Sequence, residues 1–299
     1  MSRYHFLKYV VGVWMVVAVT QATGCAWLVR RASLMGQTGD ERHGITFYVG
    51  GAGPVGHVGS IDVPRGLQEA GYSGLVEVFT WQGVSHARDQ IDLHNNRLSA
   101  ADLASRIRAY MRRYPGRSVN LIALSAGTGI TTFALEYLPE KYHVDNVVFL
   151  GCSLSADYDL TRALKRIGGR LYVVHSPEDR ILKNVVWYSG TVDRASAMEG
   201  VAGLVGFRLP RHVGPDSKTQ YEKLRNIPYR SEFAKTGYEG GHIDSTSRAF
   251  IREYVAGVIM DTKRRRLDGV DSWAERPPYS KSASASTRPS KSGSLGELH

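Results

Sequence analysis

The stretch Val119-Asn120-Leu121-Ile122-Ala123-Leu124-Ser125-Ala126-Gly127-Thr128-Gly129 decides how this chain is read. An apolar run with the composition of a buried strand ends in a small-x-Ser-x-Gly turn. A helix-forming stretch follows, from Ile130 to Leu138. This is the sequence form of a nucleophile elbow, a sharp strand-to-helix turn that lifts a serine hydroxyl onto the rim of a parallel sheet. The turn is tight and strained, so Ala123 and Gly127 must leave room for it. The helix behind Ser125 brings a positive dipole end and free N–H groups to the place where an oxyanion would form. A serine between a strand and a helix can also serve only as an N-cap.

Two further apolar runs follow. Asn146-Val147-Val148-Phe149-Leu150 ends at Gly151. Arg170-Leu171-Tyr172-Val173-Val174-His175 ends in Ser176-Pro177-Glu178-Asp179. Both read as short buried parallel strands. Asp179 lies just past a strand end, where open α/β sheets carry functional groups. Much later, Gly237-Tyr238-Glu239-Gly240-Gly241-His242-Ile243-Asp244-Ser245 sets a glycine-flanked histidine before a helix predicted from about Ser247 to Met260.

The order Ser125, Asp179, His242 is the chain order of the α/β-hydrolase triad. On these residues the chain resembles the α/β-hydrolase superfamily, on its lipase and esterase side, from about Ile45 to Met260. Ala123 departs from Gly-x-Ser-x-Gly at the first position but is small enough for the turn. The resemblance implies a three-layer α/β fold with a mainly parallel sheet of about six strands. It also implies Ser125 as nucleophile, His242 as general base and then acid, and Asp179 as the group that orients the imidazole. Asp157 and Asp159 also follow a strand, and some hydrolases take the acid from that earlier strand, so the acid stays open between them and Asp179. Glu178 reads as a solvated charge.

A second glycine-rich segment allows two readings. Ile45-Thr46-Phe47-Tyr48-Val49 is a strand that runs into Gly50-Gly51-Ala52-Gly53-Pro54-Val55-Gly56. Gly51, Gly53 and Gly56 match the dinucleotide fingerprint, with Glu77 castable as the ribose-binding acid. That reading requires a helix to open directly from the loop. Here Gly59 and Pro64 intervene, and the next helix is predicted from a cap at Asp62 to about Glu69, ended by Gly71. On the hydrolase reading the loop supplies one oxyanion-hole N–H and the residue after the nucleophile supplies the other. By position these donors are Ala52 and Ala126, while Gly51 and Gly53 let the backbone approach a substrate.

Length and composition suit one sizeable domain: 299 residues, 42% hydrophobic, formal net charge +10. The excess charge sits partly in Lys263-Arg264-Arg265-Arg266 and the Ser-, Pro- and Lys-rich tail to His299, which is expected to be disordered. No aromatic-interleaved basic stripe points to nucleic acid. Arg3 and Lys8 precede an apolar stretch from Tyr9 to Thr20, as in an export signal. Gly24-Cys25 resembles the end of a lipobox, so Cys25 is the expected lipidation site; an uncleaved anchor from Tyr9 to Val29 is the alternative. Either places the domain on the extracytoplasmic side of a membrane, in the cell envelope. The expected organisation is residues 1–29 as signal or anchor, 30–262 as the hydrolase domain and 263–299 as tail. Cys152 is expected buried at a strand end. No metal-ligand spacing occurs, and no metal or other cofactor is expected.

Strands are expected at about 45–49, 75–79, 119–124, 147–150 and 170–175, with a sixth near Tyr229 to Phe233. Ser99-Ala100-Ala101-Asp102 reads as a capping box. The helix it opens carries Leu103, Ile107, Tyr110 and Met111 as a core stripe and ends at Pro115-Gly116. The loop from Phe79 to His94 and the segment Asn184 to Pro210, with Trp187, Tyr188 and Met198, are candidate cap regions. Trp81 is placed either in an acyl pocket or in the core. The function these readings favour is hydrolysis of a small-molecule or lipid carboxylic ester through an acyl-enzyme. A non-catalytic envelope binding protein on the same fold and a dinucleotide-dependent oxidoreductase are the rivals.

Overall fold

The computed structural model describes residues 39–52, 56–81, 93–189, 191–193, 200–210 and 214–260. Six strands form one wholly parallel sheet: β1 (Asp40–Val49), β2 (Gly74–Phe79), β3 (Val119–Leu124), β4 (Val147–Leu150), β5 (Leu171–His175) and β6 (Leu224–Pro228). Their order is β2-β1-β3-β4-β5-β6. The chain leaves β1 toward one edge and returns through β3 toward the other. The C-terminal ends of β1 and β3 therefore flank the point where strand order reverses, the place where such sheets open a crevice.

Alternation along the strands builds three layers. Phe47, Val49, Leu121, Ala123, Val147 and Phe149 face one side. They pack against α2 (Leu93–Arg113) through Leu103, Ile107 and Tyr110, and against α3 (Gly127–Tyr137) through Ile130 and Phe133. Tyr48, Ile122, Leu124, Val148 and Leu150 face the other side. There they meet Val63 and Leu67 of α1 (Asp62–Glu69) and Phe250, Ile251, Val255 and Ile259 of the C-terminal helix. That helix starts with Arg248–Phe250, loosens to a π-helical segment at Ile251–Val255 and ends as Ala256–Met260. A strand of period two buried on both faces needs near-continuous apolar sequence, which is what β3 and β4 have.

The structure corrects three local expectations. The sixth strand lies at Leu224–Pro228, while Ser231–Thr236 is a 3₁₀ turn. Phe233 there stacks with Tyr238 and meets Phe250 and Tyr254 edge-on, so these aromatics fill a cluster rather than a strand. The true strand was masked by Arg225 and Asn226. Asn226 earns its place at the sheet edge by bonding both backbone groups of Phe207, at 3.0 and 2.8 Å. Ser99 is not a cap, because α2 begins at Leu93; its hydroxyl donates to the Trp81 carbonyl at 3.3 Å. Asp62 is the first residue of α1, not its cap. The tail from Leu267, Lys263 to Arg266, the segment 1–29 and Met198 lie outside the described residues, as do the side chains of Trp187 and Tyr188. Among the described residues no helix is long and apolar enough to cross a membrane.

Candidate active site

Ser125 sits at φ 55°, the only non-glycine among the described residues with a positive φ. Such a conformation is costly for a residue with a Cβ and persists only where the surroundings impose it. Here both sides of the residue are held. The Ser125 N–H donates to the Leu150 carbonyl of β4 at 3.0 Å. Its carbonyl accepts from the Thr128 N–H at 3.0 Å and from the Thr128 hydroxyl at 2.6 Å. The Ser125 hydroxyl caps nothing: α3 is capped by Ala126 without a side-chain bond, and Ser125 Oγ makes no hydrogen bond among the described residues. The N-cap role is thereby removed, and the hydroxyl is left on the sheet rim.

The loop after β1 lies directly against this turn. A Cβ on Gly127 would stand 2.4 Å from the carbonyl oxygens of both Val49 and Gly50, so only glycine permits the approach. Gly50 is held in turn by the Trp81 indole, whose Nε1–H donates to its carbonyl at 2.9 Å. Trp81 is half-buried and packs with Ala52 against the core. Its indole thus braces the β1 loop. Ala126 is fully buried, and its N–H enters no hydrogen bond among the described residues. Ala52 and Gly51 stand in the same loop; Gly53 and Cys25 lie outside the described residues.

Asp179 and His242 meet across the sheet. The His242 Nδ1 lies 2.6 Å from Asp179 Oδ2, and the two residues are 3% and 1% exposed. An ionised carboxylate can only accept, so Nδ1–H donates to it, and in the neutral imidazole this leaves the lone pair on Nε2. The other carboxylate oxygen accepts the Leu182 N–H at 2.9 Å, at the start of α4 (Arg180–Ser189). The ring rests on Gly151, where a Cβ would stand 2.8 Å from Nδ1 and 3.0 Å from Cε1. Gly151 directly follows Leu150, the residue whose carbonyl anchors Ser125. The imidazole and the elbow therefore share one strand end. His242 Nε2 is buried and, among the described residues, has no hydrogen-bond partner, Ser125 Oγ included. A buried polar atom left open in this way asks for a functional account.

The other acidic candidates are engaged elsewhere. Asp157 is exposed and pairs with Arg208 at 3.1 Å. Asp159 is exposed and accepts the Thr161 N–H and hydroxyl at 2.9 and 2.6 Å, opening the helical turn Thr161–Leu164. Glu178 is exposed. Glu77, the acid of the dinucleotide reading, is held by Arg106 at 2.8 Å. Cys152 is fully buried just past β4, and burial pushes its thiol up to about 12. Among the described residues no three His, Cys, Asp or Glu side chains gather as a metal site would require. A cavity of about 380 Å³ opens between His57 to Asp62 on one side and Ile243, Asp244, Thr246 and Ser247 on the other. Gly151 was visible in the sequence only as a strand terminator; its contact with the imidazole is a product of the fold.

No protein-family model matches the chain, and no curated protein matches it. Among solved structures it is similar to a Trichoderma reesei cutinase in complex with a phosphonate inhibitor, at 14% identity and TM-score 0.37. That alignment covers 86% of this chain and 96% of the cutinase. It is also similar to a cutinase-like protein from Cryptococcus sp., at 13% identity and TM-score 0.35, over 72% of this chain and 93% of that one. At these values neither likeness carries the functional reading, which rests on the chain's own geometry.

Proposed function

We propose that this chain is a serine hydrolase of carboxylic esters, with Ser125 as nucleophile, His242 as base and Asp179 as the orienting acid. One observation carries the reading: a buried His–Asp pair, its second imidazole nitrogen unpartnered, shares a strand end with a serine held at positive φ. In the reaction His242 Nε2 takes the Ser125 proton as Oγ attacks the acyl carbon. The imidazolium that forms is stabilised by Asp179. The Ala126 N–H and a second N–H from the β1 loop, by position that of Ala52, receive the oxyanion. His242 then returns its proton to the leaving alcohol. Water attacks the acyl-enzyme with His242 again as base, and Ser125 is regenerated.

The missing hydrogen bond between Nε2 and Ser125 Oγ is the observation that favours the second reading, a binding scaffold without catalysis. Such bonds are often long without substrate and tighten in the Michaelis complex. The dinucleotide reading gains nothing from the geometry, because α1 starts at Asp62, after the whole glycine loop. The test is hydrolysis of 4-nitrophenyl esters of graded acyl length by the purified full chain beside Ser125→Ala and His242→Ala. Turnover by the wild type that both substitutions abolish supports the hydrolase; equal rates in all three proteins overturn it. The N-terminal segment is proposed as an export signal ending in lipidation at Cys25, which places the enzyme on the envelope side of a membrane. A labelled fatty acid should enter the wild type and be lost in Cys25→Ser.

A further inference from the structure

We infer that Asp244 is a positioning residue for His242. This rests on the hydrolase reading and adds to it a group that the triad does not include. Asp244 reaches back across the loop to the residues before His242: its Oδ2 accepts the N–H of Glu239 at 2.8 Å and of Gly241 at 3.2 Å. The two bonds close residues 239–244 into a turn that contains His242. Without them this segment has little to hold it. Gly240 and Gly241 are adjacent, and Gly240 sits at φ 88° with room for a Cβ only 2.9 Å from Ser176 Oγ. That approach lets the loop touch the turn that carries Asp179, but two glycines in series leave the backbone before His242 free to rotate.

The far side of His242 is fixed by other groups. The Ser245 hydroxyl donates to the His242 carbonyl at 2.8 Å, and the Thr246 N–H and hydroxyl donate to the Ile243 carbonyl at 3.1 and 2.8 Å. Asp244 is the link that ties this ordered turn to the glycine side. The fit is close, since a Cβ on Gly241 would stand 2.8 Å from Asp244 Oδ1. Oδ1 itself is buried without a hydrogen-bond partner, and Asp244 makes no ion pair among the described residues. Asp244 is half-buried at the edge of the cavity, and its Oδ2 accepts the two backbone N–H groups of Glu239 and Gly241. Tyr238 is buried, and its phenol is pushed up by burial first and then by the charges of Asp244 and Asp179.

The expected effect is on rate rather than on binding. A small misplacement of a general base costs on the order of 10–100-fold in turnover. Asp244→Ala should lower kcat by that factor with KM within about twofold, while Asp244→Asn, which keeps an accepting oxygen, should recover most of it. Both should be measured on the full chain with 4-nitrophenyl butyrate, beside thermal unfolding. If Asp244→Ala does not fold, Asp244→Leu fills the space and removes the acceptor in its place. The downfield proton resonance of His242 Nδ1–H gives a second readout: sharp in the wild type and in Asp244→Asn, broadened or lost in the alanine variant. Wild-type kcat in a folded Asp244→Ala, or equal loss in the asparagine and alanine variants, overturns the inference and leaves the triad standing. A wild type no faster than Ser125→Ala overturns both.

Discussion

Ser125 is placed by groups within three positions of it and by the neighbouring strand, whereas His242 is placed by an acid 63 positions away. The elbow is a strained turn, clamped at its N–H and its carbonyl and wedged against β1. The histidine loop is two glycines and a carboxylate tie, laid over the ends of β4 and β5. Strain at the elbow is sustained by its backbone clamps and its approach to β1, so damage to those should appear as lost stability as well as lost activity, while loss of the Ser125 hydroxyl should appear in activity alone. From Glu239 to Asp244 the histidine loop adds no side chain to the hydrophobic core, so damage there should appear chiefly in rate.

That contrast can be broken in several places. The largest effect is expected from Ser125→Ala, on the order of 10⁴ to 10⁶ in kcat with the melting temperature preserved or raised, because the variant loses the nucleophile and little else. Asp179→Asn should cost about 10⁴ by offering His242 the wrong hydrogen-bond partner, whereas Asp157→Ala and Asp159→Ala should leave turnover within about threefold. A large loss at Asp157 or Asp159 would reassign the acid. Gly127→Ala should destabilise by about 1–3 kcal/mol in chemical denaturation, since its Cβ meets two backbone oxygens that cannot turn away. Gly151→Ala puts a Cβ at φ 50° under the imidazole and should cut kcat by on the order of 10–100-fold. The smallest effect is Trp81→Phe, which removes one hydrogen bond to Gly50 and should cost about 1 kcal/mol of stability. If Gly127→Ala altered rate alone and Gly151→Ala altered stability alone, the division between the two regions would be reversed.

The same division explains what could be read from the chain before its structure. The first five strands, the two-sided core and the turn at Ser125 were legible because each is local. Apolar runs of four to six residues mark strands buried on both faces, and the small residues around Ser125 follow from the turn itself. The sixth strand was not legible, because at the sheet edge Asn226 stands in for a neighbour and the aromatic residues just after it imitate a strand. The helix α2 was read seven residues too short at its start, because Ser99 has the form of a cap while its hydroxyl donates to the Trp81 carbonyl. His242 was legible as a glycine-flanked histidine after Ser125 and Asp179, but its contact with Gly151 and the Asp244 tie were not. Their roles depend on which strand end the loop crosses, and no spacing in the sequence encodes that. Asp157, Asp159 and Asp179 are alike as acids past a strand; only burial and partners separate them.

The most direct test of the central claim is a fluorophosphonate adduct mapped by mass spectrometry on the purified full chain. The account predicts one adduct per chain, on the peptide carrying Ser125, formed far more slowly in His242→Ala and absent in Ser125→Ala. An unlabelled, folded wild type, or an adduct on another serine, would contradict it.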